Sequence, residues 1–183
     1  MTAFSRALRA ALAAMTIGLL VTLAIVVVSA TVARYVFNSS FVWYDEVAGV
    51  LLAWITFYGS AYAATRRRHL GFDGLVISLA MPYRAWLFAL AELIGYVVFA
   101  ILAYAGWFIL QVMGTETLIS LPWMPLWFTQ SVVPVGAVLF MIGQAASTPE
   151  AYARIRAGRS AEMDEIDEEI AHAKKAQGAG DEK

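Results

Sequence analysis

Residues 10–33 read AALAAMTIGLLVTLAIVVVSATVA, 24 positions without a single charge. A helix rises about 1.5 Å per residue, so a hydrocarbon core of about 30 Å is crossed by about 20 apolar residues. This run is long enough to cross. Arg6 and Arg9 precede it like the basic end of a leader, and Thr31-Val32-Ala33 is a passable cleavage site. A cleavable apolar region, however, is only about 7–15 residues long, so the length favours a retained span.

Working outward, three more runs of the same kind follow. Residues 47–65 carry no charge, and neither do residues 93–115, whose span is expected to begin near Ala85 and to take in Glu92. Residues 117–149 are also uncharged, but Pro122 and Pro125 exclude helix interior from the first part. The fourth span is therefore placed at 126–146. Pro134 should kink it, which a bundle tolerates when neighbours satisfy the freed carbonyl. Composition agrees, since 61% of the 183 residues are hydrophobic and 15% are charged. Soluble domains average about 45–50% apolar and about 25% charged. More than half of the charges also lie from Glu150 onward. A soluble globular enzyme, a nucleic-acid binder and a disordered chain are excluded. The expected fold is an all-α membrane protein with four transmembrane helices at 10–33, 47–65, 85–113 and 126–146. Residues 1–149 form the membrane domain, and residues 150–183 form a charged tail.

Basic residues near span ends set the orientation. With the N-terminus in the cytoplasm, the inner side holds Arg6, Arg9, Arg66, Arg67, Arg68, Arg84, Arg154, Arg156 and Arg159, and the outer side holds Arg34. Both termini are therefore expected in the cytoplasm.

The connections carry their own signals. The first outer one contains the turn cluster Asn38-Ser39-Ser40, the interfacial aromatics Trp43 and Tyr44, and then Asp45 and Glu46. Acids in a first helical turn face the positive end of the macrodipole. The inner connection begins Arg66-Arg67-Arg68-His69, a cluster suited to topology and to anionic lipid. In residues 72–81, Phe72, Leu75, Val76 and Leu79 share one helical face, Asp73 is placed to cap and Pro82 stops the run. A short interfacial helix between spans two and three is expected there. The second outer connection, 114–127, is apolar and aromatic, as for a hairpin dipping into the interface or covered by another chain. Residues 160–176 read as a soluble helix with acids early and Lys174 and Lys175 late.

Little in the spans points to chemistry. The chain has no cysteine and two histidines, His69 and His172, outside the apolar runs, which excludes thiol chemistry, Cys-held metals and bis-histidine haem. No nucleophile triad, paired carboxylate, phosphate loop or metal cluster is present, so neither an enzyme nor a bound cofactor is expected. Glu92 is the one ionisable residue expected inside a span. It either stays shallow and pairs with Arg84 or meets a basic group on a partner subunit. No convincing internal repeat relates the two pairs of spans, although transporters often have one. These residues describe an accessory subunit packing laterally against other helices. Gly49, Ala53, Gly59, Ala63, Ala64, Gly95, Ala103 and Gly106 would allow close approach.

The ordered set Arg34-Tyr35-Val36-Phe37-Asn38, Ser40, Trp43-Tyr44-Asp45-Glu46, Trp54, Gly59, Arg66, Arg67, Arg68, His69, Asp73 and Pro134-Val135-Gly136 resembles the small membrane subunit of tripartite ATP-independent periplasmic (TRAP) transporters. The likeness covers about residues 20–146. It departs at Asp45, where a second Glu is more usual, and the acidic tail is not part of the pattern. The resemblance implies a large membrane subunit that moves organic acid and sodium as an elevator. It also implies a periplasmic binding protein that delivers the substrate. This chain would then be a non-transporting scaffold in the bacterial inner membrane, with the lipid bilayer as its other neighbour. By position, Arg34, Trp43, Asp45 and Glu46 would serve the outer interface, and Trp54 and Gly59 would pack helix to helix. Arg66, Arg67, Arg68, His69, Asp73 and Arg84 would lie at the inner lipid surface. Against this stand a small quinone-binding or redox-accessory subunit, which would need intramembrane His, Arg or paired acids, and a stand-alone transporter, which would need a polar stripe.

Overall fold

A computed structural model describes residues 3–39, 42–66 and 80–157, together with Ile166 and Ile170. It contains helices α1 (Ala3–Val36), α2 (Tyr44–Arg66), α3 (Met81–Val112), α4 (Leu126–Gln130) and α5 (Val132–Ala157). Four stretches are long and apolar enough to cross a membrane: Ser5–Val36, Tyr44–Arg66, Tyr83–Val112 and Leu126–Ala157. The 34 residues of α1 reach about 51 Å, so this helix stands clear of an apolar core of about 30 Å.

The helices pack in a row. α1 lies on α2, α2 on α5 and α5 on α3, while α1 touches α5 only lightly. α2 and α5 are therefore the inner members, and in α5 Val132, Pro134, Gly136, Ala137, Phe140, Gly143, Gln144 and Ser147 are all buried. α1 and α3 are the flanks. Close approach of α2 to α5 depends on missing side chains. A Cβ on Gly136 would stand 2.6 Å from Phe57 Cβ, and one on Gly143 would stand 3.0 Å from the Ala61 carbonyl oxygen. Lipid tails are as apolar as leucine, so such intimate contact replaces the hydrophobic drive of soluble cores. The main cluster joins Leu12, Tyr58, Ala61, Ala64, Val132 and Phe140. On the α3 side, Phe99 stacks on Phe140 with ring centres 3.5 Å apart.

The helix of the fourth span breaks between Gln130 and Val132, one turn before Pro134. A proline ring crowds the carbonyl four residues back, here that of Gln130, and this is where α4 ends. Pro134 thus sits in the first turn of α5, where a missing N–H costs little. α5 then continues through Pro149 to Ala157, beyond the 146 expected from hydropathy. α1 ends where Asn38 adopts φ 51°, a left-handed conformation that asparagine tolerates, and the Ser39 N–H returns to the Ala33 carbonyl at 3.1 Å. The short helix expected at 72–81 and the tail helix expected at 160–176 fall largely outside the described residues. So do Arg67, Arg68, His69 and Asp73.

Candidate functional site

Among the described residues, the polar contacts between helices fall into three groups, one at each end of the bundle along the helix axes and one between. At the first end, Glu46 lies in the first turn of α2. Its Oε1 accepts from the Ile119 N–H at 3.1 Å, and its Oε2 accepts from the Ser120 N–H at 2.9 Å and from the Ser120 hydroxyl. The hairpin it grips is closed by Leu118 N–H to Met124 O (3.1 Å) and Leu126 N–H to Glu116 O (2.8 Å). One carboxylate thus serves three donors some 73 to 74 residues away in sequence. Hydrogen bonds to an ionised acceptor are the stronger kind. The hairpin presents Ile119 and Trp123, 92% and 73% exposed. Beside it Arg34 donates to the Tyr44 hydroxyl at 2.8 Å and lies 5.4 Å from the centre of that ring. Trp43 and Asp45 are exposed at the same end.

At the second end, Arg9 of α1 donates to the Thr65 carbonyl of α2 at 2.6 Å and stands 4.0 Å from Glu150 of α5. Arg154 stands 3.9 Å from the same carboxylate. Arg84 at the start of α3 donates to the Ile155 carbonyl at 3.2 Å, and Arg66 lies 5.4 Å from the Tyr62 ring centre. The basic side chains therefore tie all four long helices at one end.

Between the ends, Trp54 Nε1–H donates to the Thr129 carbonyl at 3.0 Å, and its ring packs on Phe128 and Tyr58. Gly59 lies 3.8 Å, by its notional Cβ, from Thr16 of α1, an ordinary contact. Ser147 of α5 lies 3.1 Å from the Ala64 carbonyl of α2. Glu92 is 7% exposed and accepts from Gln144 at 2.9 Å and from Thr148 at 3.1 Å, both on α5. Reading the sequence weighed Arg84 or another subunit as its partner and missed these two. A signal was present: Gln144, Ser147 and Thr148 fall at i, i+3 and i+4 in an otherwise apolar run, one polar face of a helix. Ser120 was missed as well, and a serine in a loop gives no such sign. Among the described residues, no three His, Asp or Glu side chains gather to hold a metal ion.

No curated protein matches the chain. The family described as "Tripartite ATP-independent periplasmic transporters, DctQ component" matches residues 23–153, a stretch that takes in the C-terminal part of α1, all of α2, α3 and α4, most of α5, the Glu46 grip and the Glu92 cluster. The chain belongs to this family, and is a multi-pass membrane subunit of a TRAP transporter rather than an enzyme.

Proposed function

We propose that this subunit is the fixed, non-transporting scaffold of a sodium-coupled transporter that imports an organic acid. It packs against the large elevator-type membrane subunit, to which a periplasmic binding protein delivers substrate. The observation that carries this reading is the use made of polar side chains inside the spans. Trp54, Glu92, Gln144, Ser147 and Thr148 bond from helix to helix. Polar groups used in this way hold a bundle in one arrangement. A solute pathway instead presents polar groups at mid-depth to replace the hydration of what passes. The flanking helices show the other half of the design. Leu20, Val21, Ile25 and Val28 on α1, and Leu93, Ile94, Val97 and Ile101 on α3, are exposed apolar side chains suited to lipid and to a larger membrane partner.

Sidedness follows from the two ends of the bundle. Arg9, Arg66, Arg84 and Arg154 meet at one end, and Arg34 lies at the other. The positive-inside rule puts the arginine-rich end, both termini and the Arg67, Arg68, His69 and Asp73 segment in the cytoplasm of the inner membrane. Arg34, Trp43, Asp45, Glu46 and the hairpin then face the periplasm, where the binding protein approaches. Co-expression of the tagged chain with its large subunit tests the reading. The two should elute together from detergent, and uptake should require both. A large subunit recovered alone and fully active in uptake would overturn it.

A further inference from the structure

α3 is apolar on nearly every side, and Glu92 is the only charged residue between Ala85 and Gln111. In water an amphipathic stripe would fix which face turns inward. In lipid, burial does not choose a face, so rotation about the helix axis must come from shape and from directional bonds. Arg84 ties the start of α3 to the Ile155 carbonyl of α5, and further along the span the structure offers a second directional contact, of unusual definition. The Gln144 amide lies 3.1 Å from the Glu92 backbone carbonyl and 2.9 Å from Glu92 Oε2, so its two hydrogens grip one residue at two points. Thr148, one turn further along α5, lies 3.1 Å from the same carboxylate oxygen. Gly95 leaves room for the amide, since a Cβ there would stand 2.9 Å from Gln144 Nε2. Gln144 and Glu92 are each 7% exposed.

We propose that Glu92, Gln144 and Thr148, with Gly95 opposite, form the lock that sets the rotation of α3 on α5. Glu92 serves in it through hydrogen bonds that a neutral amide can reproduce. The inference does not depend on the transport reading. Neighbouring positions on a helix point about 100° apart, so slipping the lock by one residue would replace most of the outward face of α3. The face now held outward includes Leu90, Leu93, Ile94, Val97 and Ile101.

The chain has no cysteine, so introduced pairs can report the rotation in the full chain in its native membrane. Phe88 is buried with its ring centre 6.1 Å from that of Tyr152, one turn from the lock, whereas Ala89 is exposed. Phe88→Cys with Tyr152→Cys should cross-link in preference to Ala89→Cys with Tyr152→Cys. Glu92→Gln should keep that preference. Glu92→Leu and Gln144→Leu should each reduce it by about tenfold, the order expected for two interhelical hydrogen bonds lost inside a membrane. If Gln144→Leu fails to accumulate, Gly95→Ala, which keeps every polar partner but crowds the amide, should lower the preference in the same direction. An unchanged preference in Gln144→Leu or Gly95→Ala would overturn the lock. So would a Glu92→Gln chain that behaves like Glu92→Leu.

Discussion

Replacing Gly136 by alanine adds one methyl group where α2 and α5 touch. That methyl carbon would stand 2.6 Å from Phe57 Cβ, 3.0 Å from Cδ1 and 3.1 Å from Cγ. Carbon atoms settle at about 3.5–4.0 Å, so the contact is about 1 Å too short. Phe57 Cβ is fixed to the α2 backbone and no rotamer change moves it away, so the helices themselves must part. Parting them strains what lies further along the same seam. The Ser147 contact with the Ala64 carbonyl is at 3.1 Å, and Gly143 already approaches Ala61 O and Thr65 Cγ2. Overpacking of this kind costs about 1–3 kcal/mol. At about 2 kcal/mol the folded-to-unfolded ratio falls by about thirtyfold. For a chain of this size that is a melting shift of about 4–8 °C. Thermal unfolding of the purified chain in detergent, followed by tryptophan fluorescence, reads it. Gly49→Ala is the matched control, because nothing lies within 4 Å of its notional Cβ. Alanine is also the better helix former by about 1 kcal/mol, so this variant should lose nothing. A Gly136→Ala chain that melts with the parent, or a Gly49→Ala chain that melts below it, would refute the packing argument.

Three further outcomes are expected. Glu46→Ala should release the hairpin, seen as faster hydrogen exchange at the Ile119 and Ser120 amides, while Asp45→Ala leaves both protected; protected amides in Glu46→Ala would remove the grip. Trp54→Phe keeps ring contacts with Phe128 and Tyr58 but loses the bond to the Thr129 carbonyl, so the chain should lose about 1 kcal/mol of stability; no change in melting would assign the tryptophan to packing alone. With the proposed sidedness, a membrane-impermeant thiol reagent should label Asn38→Cys from the periplasm and leave Tyr83→Cys unlabelled until the membrane is opened. The opposite pattern would reverse the topology.

The sequence announces the spans because a membrane demands long uncharged runs, and nothing else in the chain mimics them. It announces the break in the fourth span as well, because a proline acts locally on the carbonyl four residues before it. Packing is harder to read. α1 and α3 are apolar all round, so no periodic stripe marks the face that turns inward. Gly136 and Gly143 look no different in sequence from Gly18 and Gly49, although the first two meet another helix and the last two have open space. Glu46 shows why the site was only half legible. Its place in a first helical turn and beside aromatics is evident from neighbours, but its partners arrive through a loop 74 residues away. Glu92 was evident as an oddity in a span, and Gln144, Ser147 and Thr148 mark a polar face on the fourth span, but nothing in the sequence says which helix that face meets.

The central claim is that this subunit supports transport without conducting it. Sodium-driven uptake of an organic acid into proteoliposomes, with binding protein supplied, tests this most directly. Vesicles holding this chain together with the large subunit should accumulate the acid, and vesicles holding this chain alone should accumulate none above the empty-liposome level. Sodium-dependent accumulation in vesicles that contain this chain alone would contradict the account.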